Sequence, residues 1–110
     1  MSTINTWEVW FASFPFEDSR ETKDRPVIVL NVEPLEVLSV KVTSHNVRNR
    51  DRFDVPIVKW VEAGLRQPST ARISKTIYLD VNSFKRKIGS LHNDDKTQIM
   101  NTYMDYINSI

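Results

Sequence analysis

With 110 residues, 40% of them hydrophobic and 26% charged, the chain has room for one globular domain with a real core but not for two domains. It has no cysteine, which excludes disulfide frameworks, thiolate metal sites and cysteine nucleophiles, and its two glycines, Gly64 and Gly89, cannot build a glycine-rich phosphate cradle. Fifteen Lys and Arg against fourteen Asp and Glu leave a net charge of +1, so total charge does not by itself point to nucleic acid.

Alternation with period two dominates the first two thirds and helical spacing appears only near the end, which predicts a mainly β fold. Trp7 to Phe14 reads as a first strand, with Trp7, Val9 and Phe11 on one side and Trp10, Ala12 and Phe14 on the other. Pro15-Phe16 ends it, and the charge-rich stretch Glu17 to Arg25 is expected to be an exposed, mobile loop. Pro26 to Val32 is almost unbroken apolar sequence, the mark of a strand covered on both faces, and Pro34 marks the turn after it. From Leu35 to about Ser44 the pattern places Leu38, Val40 and Val42 in the core and Ser39, Lys41 and Thr43 on the opposite, polar face.

Val47 to Phe53 carries Arg48, Arg50 and Arg52 at alternate positions, either a basic surface or a solvated polar loop. Val55 to Trp60 reads as a short strand, and Val61 to Gly64 as a turn that carries Leu65 inward. Ala71 to Asp80 alternates again, with Ile73, Ile77 and Leu79 inward and Arg72, Ser74 and Thr76 outward. Val81, Phe84 and Ile88 have the spacing of a short helix that Gly89 would stop as a left-handed cap. Asn93 is placed to cap the last helix, with Asp94 and Asp95 at the positive end of its dipole and Ile99, Met100, Tyr103, Tyr106, Ile107 and Ile110 as its apolar stripe. About five strands and a closing helix predict a single domain over residues 1–110, a small, partly open barrel with helices across one end. The longest apolar run, Val27 to Leu30, is too short to cross a bilayer, and Met1-Ser2-Thr3-Ile4-Asn5 lacks the basic start of a secretory signal, so a cytoplasmic protein with no membrane partner is expected.

Four stretches, in order, resemble the PemK/MazF-like family of toxins: Trp7-Glu-Val-Trp-Phe-Ala-Ser-Phe-Pro-Phe16, Arg25-Pro-Val-Ile-Val-Leu30, Val42-Thr-Ser44 and Gly64-Leu-Arg-Gln-Pro-Ser-Thr-Ala-Arg-Ile73. Ile88-Gly-Ser-Leu91 before an acidic helix start is similar to the family's ending. The resemblance implies an SH3-like, partly open β-barrel that forms a homodimer and cuts single-stranded RNA at short sequences with neither metal nor cofactor. It also implies a cognate antitoxin whose acidic segment covers the RNA groove. Fold relatives that poison DNA gyrase share a Trp-Gly-Ile terminus, whereas this chain ends Asn108-Ser109-Ile110, which favours the RNA cutter.

Metal-free cleavage uses the ribose 2′-hydroxyl as nucleophile, so the protein must supply a proton acceptor, a donor to the leaving 5′-oxygen and positive charge at the phosphorane. Arg25, at the expected junction of loop and strand, is the residue that family position implies at the phosphate; otherwise it is an exposed arginine pairing with Glu17, Asp18 or Asp24. Thr43 would hold a ribose or phosphate oxygen, and Arg72 would add charge to the same groove; otherwise they are a β-favouring threonine and a solvated arginine. Lys23, Ser44, Arg48, Arg50, Ser69 and Ser74 are expected along the RNA path.

Some relatives place an aspartate base two residues after the second arginine, where this chain has Ser74. His45, two residues beyond Thr43 and beside the arginine run, is the candidate replacement, with an ordinary pKa of about 6.5 suited to neutral pH; otherwise it is a loop histidine without a role. Two alternatives stay open at this point: a catalytically impaired barrel that binds RNA or protein through the same groove, and an interaction barrel working through Trp7, Trp10, Phe14, Phe16 and Trp60.

Overall fold

The run Val27-Ile-Val-Leu30 can leave neither of its sides in water, and the fold covers both. In the computed structural model, which describes residues 3–16, 20–44 and 51–110, these four side chains are buried, three of them completely. They lie in β2 (Thr22–Val32), flanked by β1 (Glu8–Pro15) and β3 (Glu36–Thr43). The remaining elements are β4 (Asp54–Ile57), β5 (Ser69–Asp80), a 3-10 turn (Val81–Ser83), β6 (Phe84–Ser90) and α1 (Asn93–Asn108). All six strands join one antiparallel sheet in the order β4-β5-β3-β2-β1-β6, so the sheet is not closed and β4 and β6 are its edges.

The curled sheet has an apolar cluster on each face. Val9, Ile28, Leu30, Val40, Val42, Ala71 and Ile73 form the larger one, closed by Ile99 of α1. Trp10, Ala12, Phe14, Val27, Val29, Val37 and Leu79 form the smaller, where the Trp10 and Phe84 rings meet edge to face at 6.0 Å. The two-sided reading of β1 and β2 is what this division requires, and each fully buried Val or Ile contributes roughly 1.5–3 kcal/mol.

Several expectations are corrected. The stretch expected to be a loop up to Arg25 is strand from Thr22 onward, because Thr22, Lys23, Asp24 and Arg25 pair with Pro15, Phe14, Ser13 and Ala12; Glu17, Asp18 and Ser19 lie outside the described residues. The strand expected to reach Trp60 ends at Ile57. Both carboxylate oxygens of Asp95 accept the next two backbone N–H groups, Val58 and Lys59, each at 2.9 Å, and so take the donors a longer strand would use. Pro56 lies in this strand, which is at the sheet edge, where proline is tolerated.

In β5, pairing jumps from Val40↔Thr76 to Lys41↔Arg72, inserting three residues opposite none. That odd number reverses the alternation, so Ile73 enters the larger cluster and Leu79 the smaller, while Ile77, expected inward, is 36% exposed. Ser39 and Thr43, expected on a polar face, are buried because that face too is covered.

The short helix expected from Val81, Phe84 and Ile88 is instead one 3-10 turn followed by β6, whose backbone is recruited by β1 through pairs such as Phe11↔Arg86. Gly89 is thus no left-handed cap. A Cβ there would stand 2.4 Å from the Ala63 carbonyl oxygen, and one on Gly64, whose φ is 88°, would stand 2.6 Å from that of Ile88. The two glycines let the 58–64 turn press its backbone onto β6.

The last helix is capped by His92, whose Nδ1 accepts from the Asp94 N–H at 3.0 Å, and Asn93 is the first helical residue. Ile99, Tyr103 and Tyr106 face the sheet, and Phe53 meets Tyr106 edge to face at 5.1 Å. Burial, with Tyr78 and Tyr106 close by, pushes the Tyr103 hydroxyl pKa up. Met100, Met104 and Ile107 of the helix, and Ile110 just beyond it, remain exposed. No helix among the described residues is long and apolar enough to cross a membrane.

Candidate nucleic-acid interface

Because Thr22 to Pro26 pair with β1, while β3 pairs only from Val27 onward, the polar end of β2 is held along one side by the sheet rather than carried on a loop. There a cleft of about 500 Å³ opens among β1, β2 and β6, the end of β3, and the 64–67 segment that leads into β5. Lys23, Arg25, Thr43, Ser44 and Ser69, five of the residues expected at the site, line it together. Arg25 is half-buried, and among the described residues no ion pair holds it. Thr43 is 6% exposed, paired in register with Thr70, and the Ser69 hydroxyl donates to the Gln67 carbonyl at 2.9 Å.

The other expected residues are placed differently. Arg72 does not line the cleft: it is buried, and its Nη1 donates to Asp54 Oδ2 at 2.5 Å. Its expected outward position fails because β4 folds over that part of β5, pairing Asp54 with Arg72, so an unneutralised guanidinium there would be too costly to bury. Ser74 is also absent from the cleft lining, and its hydroxyl donates to Asp51 Oδ2 at 2.7 Å. His45, Arg48 and Arg50 lie outside the described residues.

Sequence reasoning missed Phe11, Asp24, Arg66, Gln67 and Arg86 as lining residues. Arg66 and Gln67 lie inside the Gly64 to Ile73 motif and were legible there. Arg86 was hidden by reading its segment as a helix, which gave its side chain no defined neighbour. Among the described residues, the charged lining consists of Lys23, Arg25, Arg66 and Arg86 against Asp24, so this lining is strongly positive in a chain of almost balanced charge. Such a concentration suits a phosphodiester chain, with planar guanidinium groups able to take two phosphate oxygens at once.

The sequence profile of the PemK-like, MazF-like toxins of type II toxin–antitoxin systems matches residues 5–106. The chain belongs to this toxin family. Comparison with curated proteins gave no match. Among solved structures, the fold is similar to the Mycobacterium tuberculosis toxin MazF-mt6, with a TM-score of 0.73, 24% identity, and 92% of this chain and 96% of that one covered. It is also similar to a mycobacterial endoribonuclease solved in complex with its cognate antitoxin, with a TM-score of 0.74, 9% identity and 96% of each chain covered. A third, a toxin of the same bacterium, has a TM-score of 0.63 and 26% identity over 74% of this chain and 90% of its own. For this family member the cleft, rather than the Arg72 side of β5, is the candidate functional site.

Proposed function

We propose that this chain is a sequence-specific endoribonuclease toxin that cleaves single-stranded RNA without a metal ion, acts in the cytoplasm as a homodimer, and is silenced by a cognate acidic antitoxin. The observation that carries the reading is the convergence of Arg25, Thr43 and Ser69 in one positively charged cleft, in a chain of this family. In the reaction, the ribose 2′-oxygen attacks the adjacent phosphorus and the bond from phosphorus to the 5′-oxygen breaks, leaving a 2′,3′-cyclic phosphate and a 5′-hydroxyl. The Arg25 guanidinium stabilises the charge on the phosphorane oxygens, and Thr43 orients the ribose or a phosphate oxygen. His45 takes the 2′-hydroxyl proton, and a water molecule gives a proton to the departing 5′-oxygen.

The antitoxin is supported by the family, and an acidic peptide would complement the four cations of the cleft. The homodimer is supported by exposed apolar surface on α1 and the residues after it, with Met104 at 48% and Ile110 at 86%, which a twofold copy would cover. One observation favours the second reading, a barrel that binds RNA without cutting it. Arg72 is engaged with Asp54, and Ser74 stands where some relatives carry a base, so of the expected residues Ser69, Arg72 and Ser74 only Ser69 lines the cleft.

Mapping the 5′ ends of RNA fragments after incubation with purified protein in excess EDTA separates these readings. New ends at a recurrent short sequence are expected. Intact RNA that is nevertheless retained by the protein would establish the non-cutting barrel, and cutting restored only by added divalent ions would overturn the metal-free mechanism.

A further inference from the structure

Three strands place a flat surface on the wall of the cleft. Phe11 of β1 has Arg86 of β6 and Pro26 of β2 as its register partners, and all three line the cavity. The Arg86 guanidinium lies over the Phe11 ring, its Cζ 4.6 Å from the centroid. Arg86 is exposed on an edge strand, and its guanidinium has no other described partner, so one of its planar faces is open. An arginine held over an aromatic ring gives up part of its rotamer freedom before any ligand arrives, and its planar guanidinium can stack on a further ring. Phosphate binding makes no use of such a face, whereas a nucleobase does.

The one acid among the described residues of the cleft adjoins this platform. Asp24 is the register partner of Ser13, two residues along β1 from Phe11, and its Oδ1 accepts the Ser13 hydroxyl at 3.1 Å. Residues diagonal across paired strands stand about 7–8 Å apart, roughly the width of a nucleobase. A carboxylate repels phosphate but accepts hydrogen bonds from an exocyclic amine, and its Oδ2 has no partner among the described residues.

We propose that Phe11 and Arg86 form a stacking platform for one base of the RNA, and that Asp24 selects a base presenting an amino group, such as cytosine, over uracil. The proposal rests on the RNA-cleaving reading of the cleft and adds to it a base subsite with stated selectivity.

The test measures binding of single-stranded 2′-deoxy hexamers, which lack the attacking hydroxyl, made of cytosine or of uracil bases throughout. The wild-type chain is expected to bind the cytosine hexamer at least about fivefold more tightly. Arg86→Ala and Arg86→Lys should both weaken that binding by roughly 5- to 100-fold, the lysine variant separating stacking from charge. Asp24→Asn should bring the cytosine-to-uracil ratio close to one, whatever its effect on affinity. Equal wild-type affinities, an Arg86→Lys variant that binds like wild type, or failure to bind either hexamer by protein that cuts RNA would each overturn the subsite while leaving the nuclease reading intact. Protein that neither binds nor cuts RNA of any sequence would overturn both.

Discussion

The Arg72 guanidinium donates to the Asp54 carboxylate at 2.5 Å, with 8% of the arginine side chain and none of the aspartate side chain exposed. The pair ties edge strand β4 to β5 beneath the candidate site. Removing one partner leaves a buried charge uncompensated, so Asp54→Ala should lower unfolding free energy by about 3–5 kcal/mol, read from urea denaturation. A loss below about 1 kcal/mol would show that water reaches the pair.

Arg25→Ala should keep the fold and lose cleavage. Its side chain is half-exposed near the charged end of β2, outside both apolar clusters, so far-UV circular dichroism and melting should hardly change. Loss of a positioned cation at the phosphorane should lower the single-turnover rate by roughly 100- to 1,000-fold. A folded variant cutting at the wild-type rate would remove Arg25 from the chemistry.

His45→Gln tests the proton acceptor. The single-turnover rate should fall roughly 100-fold, with the acidic limb of the pH–rate profile flattened and RNA binding little changed. An unaltered rate and limb would leave solvent as the final acceptor.

Acid should loosen the start of β1 through Glu8. Burial pushes its carboxyl pKa up, but hydrogen bonds from Lys87, Trp10 and Asn5 together outweigh burial and hold it at about 2, below the ordinary 4.5. The unfolded chain therefore takes up the proton first as pH falls. The stabilisation, on the order of 3 kcal/mol, is complete above about pH 5 and is lost as pH drops through 4.5 toward 2. Glu8→Gln should be less stable than wild type near neutrality, with the gap closing toward pH 2 in denaturant titrations. A gap that does not change with pH would contradict this.

Gly89→Ala should destabilise by about 1–3 kcal/mol, because the added methyl meets the Ala63 carbonyl, a backbone atom that cannot swing aside. Thermal melting gives the comparison, with Ser90→Ala, at an exposed neighbour, as the reference.

What could be read from the chain followed the reach of each signal. Alternation located β1 and β3, and an unbroken apolar run located β2 from Pro26 onward, because these signals lie within the strands themselves, whereas Ser69 was pointed to by the resemblance of the segment from Gly64 to Ile73. Alternation failed on β5, where three inserted residues reverse the faces between Ile73 and Leu79, since a bulge is set by the partner strand and leaves no local mark. It failed on Phe84 to Ser90, whose apolar spacing suits a helix until the free edge of β1 claims its backbone. Arg72 looked outward for want of any sign that Asp54, eighteen positions earlier, would cover it.

β2 behaves as a cantilever. From Val27 to Val29 its side chains are wholly enclosed, gripped alternately by one cluster and the other, and Lys23 and Arg25 ride on the arm just beyond that grip, where β1 is the one strand paired with it. A guanidinium carried on such an arm inherits the stiffness of the interior, so an incoming phosphate meets a backbone whose position is already fixed and only side-chain torsions are left to settle. Softening the grip away from the cleft, for instance with Val29→Ala, would spread the tip over more positions and slow the proposed turnover without altering any residue of the cleft lining.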